Sequence, residues 1–227
     1  MILYTIISWS GSKKKASMRK SFKSLGITNY IFVTGSKNIK KSRMYGKHHL
    51  KVKAGDKYCD LPEKMYEMFK YIYNEMPDVT RVIKIDDDVQ LHQDISKFYN
   101  KKNDFIGIVP ININTQNGTW HLGRCEENNK RNKIKFDIVR WNKDNLKLNV
   151  KSVIYPGGGD TYSVSRKGMG KIANTKIDPK THVYEDVMIA SILRKHNIKL
   201  HVPKCVQMVS LHDSICGKER LLSSDVF

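Results

Sequence analysis

The hydrophobic pattern opens with Ile2 to Ser8, an uncharged run of Ile, Leu, Tyr, Thr and Ser, the signature of a strand buried on both faces at a sheet centre. Gly11 and Ser12 break that run, and Lys13 to Leu25 predicts a helix with Met18, Phe22 and Leu25 on one side. Asn29 to Thr34 reads as a second strand closed by Gly35. Ser36 to Lys57 is basic, contains Gly and lacks apolar periodicity, which predicts a loop or a partly ordered lid. A helix follows from Asp60 as N-cap: Leu61, Met65, Phe69 and Tyr73 recur every four residues, Glu63, Lys64 and Glu67 fall off that stripe, and Pro77 ends it. Val82 to Ile85 is a short buried strand running directly into Asp86, Asp87 and Asp88, and Phe105 to Val109 is another strand.

Asn112 to Asn149 is polar and irregular, with Trp120 and Trp141 as its largest anchors. Pattern then returns: a strand near Val153, the glycines Gly157 to Gly159, a strand at Thr161 to Val164, a helix from Arg166, a helix from Glu185 to His196, and short strands around Leu200 and Val206. Strands alternating with helices, without an internal repeat or a linker, predict one α/β domain with a mostly parallel sheet.

Composition adjusts this picture only at its edges. A chain of 227 residues with 40% hydrophobic content can bury one sizeable core. The 41 Lys and Arg against 22 Asp and Glu give +19, enough to attract a polyanion, whether nucleic acid, anionic lipid or a nucleotide diphosphate. Much of the surplus sits in Lys13 to Lys15, Lys37 to Lys41 and Lys130 to Lys135, read as solvated loop faces. No RNA-binding signature, zinc-finger spacing or basic heptad region accompanies the charge, so no specific nucleic-acid partner is expected. Cys59, Cys125, Cys205 and Cys216 include no CxxC pair. Idle thiols in a reducing compartment are expected, with Cys205 and Cys216 the one pair near enough in sequence to bond. The apolar start is too short to span a bilayer and lacks a basic flank and a cleavage site, which predicts no transmembrane segment and a cytoplasmic protein.

Three stretches carry chemistry. In Val82 to Leu91 (VIKIDDDVQL) three consecutive carboxylates repel one another, and a cation or several donors must neutralise them; the alternative is an exposed acidic turn. Strand alternation would put Asp86 and Asp88 on one side, to share a divalent ion and a ribose hydroxyl or a water of that ion. Thr181 to His196 places Glu185 and Asp186 at the start of an apolar-striped helix, where the dipole keeps carboxylates ionised and an Asp can serve as general base; the alternative is plain N-terminal capping. Between them, Tyr155 to Met169 (YPGGGDTYSVSRKGM) has three adjacent glycines that let backbone approach a ligand closely.

From about Tyr58 to about His212 the sequence resembles the glycosyltransferases of family 31, the galactosyltransferases, N-acetylglucosaminyltransferases and fringe-type enzymes. The resemblance rests on Lys84 to Val89 (KIDDDV), on GGGDTYSVS, and on Glu185 to Val187 (EDV). It implies a GT-A fold, Rossmann-like, with a mixed and mostly parallel sheet flanked by helices, in a single domain. Residues 1–110 would form the nucleotide-binding half, and 111–227 the acceptor-binding and catalytic half. It implies Asp88 as main metal ligand, with Asp86 and His212, for Mn²⁺ or Mg²⁺; the competing reading of His212 is a surface histidine. Asp186 would be the catalytic base of a single inverting displacement that moves a hexose (galactose, glucose or N-acetylglucosamine) from a UDP-sugar to an acceptor hydroxyl, on a glycan or glycosylated acceptor. Asp86, Asp87, Arg19 and Ser8 would hold the donor, and Gly157, Gly158, Gly159, Asp160, Trp141 and Glu185 the sugar and acceptor. GGGD replaces the Cys-Ser-Gly-x-Gly run of many members, and the membrane anchor and stem usual in the family do not appear, so compartment and substrate do not transfer. The alternatives are a nucleotidyltransferase, for which GSKKK at Gly11 to Lys15 would be the phosphate loop, and a catalytically silent sugar- or polyanion-binding protein.

Overall fold

The computed structural model describes residues 1–99, 102–107, 154–157, 161–178 and 184–202 in full, and 110–112 and 210–212 as backbone. The strands are β1 (Ile2–Ile7), β2 (Tyr30–Gly35), β3 (Arg43–Met44), β4 (His49–Val52), β5 (Arg81–Asp86), β6 (Val89–Leu91), β7 (Phe105–Gly107), β8 (Pro110–Asn112), β9 (Ile154–Pro156), β10 (Tyr162–Ser165) and β11 (Ser210–His212). The helices are α1 (Lys15–Ser24), α2 (Leu61–Glu75), α3 (Ser96–Tyr99), α4 (Arg166–Asn174) and α5 (Glu185–Lys195), with a 3₁₀ turn at Tyr58–Asp60.

Seven strands form one sheet in the order β3-β4-β2-β1-β5-β10-β7. β4, β2, β1 and β5 run parallel, and β3 and β10 run antiparallel to their neighbours. The uncharged run of β1 lies in the middle, as its composition requires, because parallel strands covered on both faces must be apolar on both. Side-chain alternation divides the core in two. Leu3, Ile7, Ile31, Val33 and Val82 face α2, α4 and α5, whereas Tyr4, Ile6, Phe32, Ile83 and Ile85 join Met18 and Phe22 of α1 and Tyr99 of α3. The two faces make the domain α/β and place helices on both sides of a mixed, mostly parallel sheet, as the alternation of strands and helices predicts.

Two expectations are corrected. The basic segment from Ser36 to Lys57 contributes two strands: β4 pairs in parallel with β2 from Phe32–His49 to Gly35–Val52, and its alternation is regular, Leu50 and Val52 buried, His49 and Lys51 half-exposed. In α2 the buried face is Pro62, Lys64, Met65, Met68, Phe69 and Ile72, while Leu61 and Tyr73 are only partly buried. Lys64 therefore belongs inside, with 2% of its surface exposed. Removing the Phe69 ring from this face would cost about 3–5 kcal/mol. The strands expected near Val153 and Leu200 reduce to β9 and to a bridge between His201 and Ile106; Val206 lies outside the described residues.

Candidate functional site

The connections give β1 a special place. From β1 the chain passes through α1 to β2 on one side, and it later returns from β4 through α2 to β5 on the other. In an open parallel sheet such a reversal leaves a crevice outside the carboxyl ends of the two central strands, the usual ligand position. Here those ends carry Ser8 and Asp86 to Asp88. The ladder pairs Ile7 with Asp86, the Asp87 amide donates to Ile7 O (3.1 Å), and Ser8 Oγ donates to Asp87 Oδ2 (2.6 Å). Ser8 is buried and holds Asp87 in place across the crevice. β5 ends at Asp86, and Asp87 and Asp88 form a turn into β6, so strand alternation does not govern where Asp88 points; all three carboxylates are half-buried.

Lys84 joins this strand to the second acidic stretch. Alternation along β5 puts Lys84 on the same face as Val82, toward α5, where only 1% of its side chain is exposed. Its Nζ lies 2.9 Å from Asp86 Oδ1, 3.4 Å from Glu185 Oε1, and 5.6 Å from the ring centroid of Tyr162, its cross-strand neighbour. Burial opposes its charge, but Asp86 and Glu185 outweigh that and hold it above the ordinary lysine value. Asp86 is pushed up to about 6, first by burial and then by Glu185 and Asp88, against the pull of Lys84.

Asp186 is 3% exposed at the start of α5, and its Oδ1 accepts the Val187 amide hydrogen (2.7 Å). Burial, followed by the charge of Glu185, raises its carboxyl well above the usual range despite that amide and Lys84. The helix terminus alone thus does not keep Asp186 ionised. Burial, with Asp186 adding to it, also raises the phenols of Tyr155 and Tyr184. Tyr162 is fully buried, its phenol is raised by burial and then by Glu185, Asp186 and Asp86, and its hydroxyl makes no hydrogen bond among the described residues.

The third part is the loop after β1. Lys64 Nζ donates to Ser8 O (3.0 Å) and to Asp56 Oδ1 (2.7 Å), and Asp56 also accepts the amides of Ser10 (2.6 Å) and Gly35 (2.7 Å). A Cβ on Gly35 would stand 2.0 Å from Gly55 O, so only glycine lets the β2 end approach Asp56 this closely. Burial alone would raise Asp56, but Lys64, Gly35 and Ser10 hold it below the ordinary carboxylate value. Lys15, expected as part of a solvated run, is half-buried and donates to Ser10 O (3.1 Å); burial lowers its ammonium against the pull of Asp56 and Asp87.

Of the remaining expected residues, Arg19 stands over the Phe32 ring at 5.3 Å, on the α1 side. β11 runs antiparallel to β6 and sets His212 opposite Val89, beside Asp88 in sequence. Gly157 is buried at the end of β9, and Gly158, Gly159, Asp160 and Trp141 lie outside the described residues. Sequence reasoning missed Lys84, Lys64, Asp56 and the three tyrosines; only the inward position of Lys84 in the β5 alternation signalled one of them.

The donor set suits a hard divalent cation, because the carboxylates of Asp86, Asp88, Glu185 and Asp186 outnumber the buried Lys84 ammonium they share. Among the described side chains no three of His, Cys, Asp or Glu come together as a ready-made metal site; β11 pairs the His212 backbone with Val89, the residue that follows Asp88.

Cys59 is disulfide-bonded, which replaces the expectation of idle thiols; its partner lies outside the described residues.

Residues 14–204 match the galactosyltransferase family. No curated protein matches the sequence. Distant structural likenesses include A197 from STIV (11% identity, TM-score 0.45, 92% of this chain and 85% of that one). Another is the galactosyltransferase LgtC in complex with donor and acceptor sugar analogs (13%, 0.44, 89% and 73%). A third is mouse xyloside xylosyltransferase 1 in its apo form (11%, 0.40, 90% and 86%).

Proposed function

Since this chain belongs to the galactosyltransferase family and is a glycosyltransferase, we propose that it moves a hexose from a UDP-sugar to a glycan hydroxyl in a single inverting displacement assisted by Mn²⁺ or Mg²⁺. The observation that carries this reading is Lys84. By touching both Asp86 and Glu185 it brings the β5 carboxylates and the α5 carboxylates into one site at the β1/β5 crevice. A nucleotidyltransferase reading has no such support, because Lys15 of GSKKK points its amine at Ser10 O rather than presenting a free phosphate loop.

Asp88 and Asp86, with His212, would hold the cation, which when bound neutralises the diphosphate as the glycosidic bond breaks. Asp87, fixed by Ser8, orients the donor's ribose or sugar. Asp186 takes the acceptor proton; its buried position keeps bulk water from competing for that carboxylate. Glu185 and the Gly157 to Asp160 segment would line the sugar side, with Trp141 as a stacking surface, and Arg19 would add positive charge toward the phosphates.

No described helix is long and apolar enough to cross a membrane. The Cys59 disulfide favours an oxidising compartment over the cytoplasm, since such bonds are rare where thiols are kept reduced.

The experiment is a panel of UDP-galactose, UDP-glucose and UDP-N-acetylglucosamine, with donor hydrolysis measured with Mn²⁺ and with chelator. One donor should be cleaved only with the cation present. Equal cleavage with chelator would refute the metal's part, and no cleavage of any nucleotide sugar would refute the transferase reading.

A further inference from the structure

Charge is distributed unevenly along the chain. Residues 1–57 carry fourteen Lys and Arg and a single acid, Asp56, so this quarter of the sequence holds +13 of the net +19. The fold gathers that quarter into one side of the sheet, β3, β4, β2 and β1 in that order, with α1 packed on it. Twelve of the fourteen cations are exposed, and among the described residues only Lys37 of these twelve meets a carboxylate, Asp60 at 3.3 Å. Asp56 is bonded to the buried Lys64 and pairs with none of them.

At the edge of this side lies a cavity of about 370 Å³ lined by Lys40, Lys41, Lys53 and Lys70, with Tyr71 and Asn74 beside them. Ser42 fastens its walls together: its Oγ accepts the Lys53 amide hydrogen (2.9 Å) and donates to Glu67 Oε2 of α2 (3.3 Å). Glu67 and Glu75 also border the cavity, yet none of the four ammonium groups forms an ion pair among the described residues, and they outnumber the carboxylates. From this edge the carboxyl ends of β4, β2 and β1 lead to the crevice. The loops leaving them carry Lys53 and Lys57, then Lys37, then Lys13 and Lys14. At the usual strand spacing that path is about 10–12 Å long.

So much unpaired charge exceeds what a nucleoside diphosphate needs, because the proposed cation already neutralises its phosphates in part. Like charges crowded on one side repel in the free protein, and a polyanion laid along them removes that repulsion. A lipid surface fits less well. Adsorption to it normally adds apolar anchoring, and no large hydrophobic side chain between residues 13 and 57 is exposed. A concave site of this volume, with a tyrosine and an amide beside the lysines, suits one charged sugar ring of a chain.

We propose that the acceptor is an anionic glycan, bearing carboxylate, sulfate or phosphate groups, which binds along this edge with one charged sugar in the cavity of Lys40, Lys41, Lys53 and Lys70 and its accepting end at the crevice. The inference rests on the glycosyltransferase reading and narrows the acceptor to a chemical class.

The test is titration of a heparin hexasaccharide, an oligogalacturonate, neutral maltohexaose, oligo-dT, and vesicles with and without phosphatidylserine into wild type and two triple variants. Lys40→Gln with Lys41→Gln and Lys53→Gln strips the cavity of three charges. Lys20→Gln with Lys23→Gln and Lys47→Gln removes as many from the same side at the amino ends of β2 and β4, away from the crevice. An anionic oligosaccharide should bind, less tightly as salt is added, and maltohexaose should not. The cavity variant should weaken that binding roughly 3- to 100-fold, and the control variant less than about twofold. Both variants change exposed side chains only, so melting temperatures should match wild type, and Mn²⁺-dependent donor hydrolysis without acceptor should be unchanged in each. Unaltered glycan affinity in the cavity variant, or equal losses in the two, refutes the proposal while the transferase reading stands on its hydrolysis. Tighter binding of oligo-dT or of phosphatidylserine vesicles than of either anionic oligosaccharide overturns it in favour of that partner. If no nucleotide sugar is cleaved, the acceptor role falls with the transferase reading.

Discussion

Replacing Asp186 by Asn separates the chemistry of this site from its architecture. Asn has the volume of Asp and keeps an oxygen at Oδ1, so the 2.7 Å bond from the Val187 amide survives and the first turn of α5 is undisturbed. The change removes one negative charge from a position where burial and Glu185 already disfavour it. The fold therefore loses nothing, and without metal it should melt at the same temperature or higher. What goes is the proposed proton acceptor, with an expected loss of roughly 10²- to 10⁴-fold in kcat, or about 3–5 kcal/mol of barrier, and a donor KM nearly unchanged.

The pH dependence supplies a second reading of the same variant. Because the folded-state value of Asp186 is raised, the fold binds its proton more tightly than the unfolded chain, and stability falls as pH rises from the ordinary carboxylate range through that raised value. The melting difference between Asp186→Asn and wild type should widen over that window. Over the same window wild-type kcat/KM should climb as the base form appears, while the variant's residual rate stays flat. Steady-state kinetics across pH, paired with melting curves, check both. Turnover of Asp186→Asn within a few-fold of wild type would refute the base assignment.

Three further outcomes are expected. With Asp86 at about 6, Mn²⁺ affinity should be level above that pH and fall by up to tenfold per unit below it, as protons compete for the ligand; titration calorimetry between pH 5 and 7.5 would show it. Lys84→Met should cost about 3–5 kcal/mol in denaturant unfolding, because Asp86 and Glu185 lose their shared cation, and adding Glu185→Gln should restore part of that loss. In chain denatured without reductant, no more than two of the four cysteines should react with an alkylating reagent, and four reacting would exclude the Cys59 bond.

What the letters disclosed and what they hid have the same physical origin. β1, β5 and α5 were legible because a strand or helix buried on its working faces cannot contain charge except where charge is needed, so Ile2 to Ile7 announces a central strand and the acids after Ile85 announce a site. β4 was hidden because it is four residues long and two of its letters, His49 and Lys51, are basic; its alternation is visible only once β2 supplies a partner. Lys64 read as a surface residue because a lysine's letter is the same whether or not a carboxylate awaits it inside, Lys84 stood in a strand read as buried but without a partner assigned to it, and their partners Asp56 and Glu185 are set by the fold and not by spacing. Asp186 was placed correctly at the head of α5, but the ionised state expected from the helix dipole does not hold, since it depends on how deeply neighbouring elements bury the carboxyl. Trp141 and the Gly158 to Asp160 stretch lie outside the described residues and stay as the sequence left them.

The crowding of Asp86, Glu185 and Asp186 around Lys84 also makes the molecule its own thermometer. Any ion that settles among them relieves repulsion in the fold that the unfolded chain never feels, so occupancy must register as heat resistance. At a hundredfold excess over its Kd such an ion adds about 2.7 kcal/mol, which for a chain of this size moves the midpoint by roughly 5–10 °C. A melt recorded across a shelf of chloride salts therefore tests the proposed cation directly, and a midpoint that no salt moves would count against it.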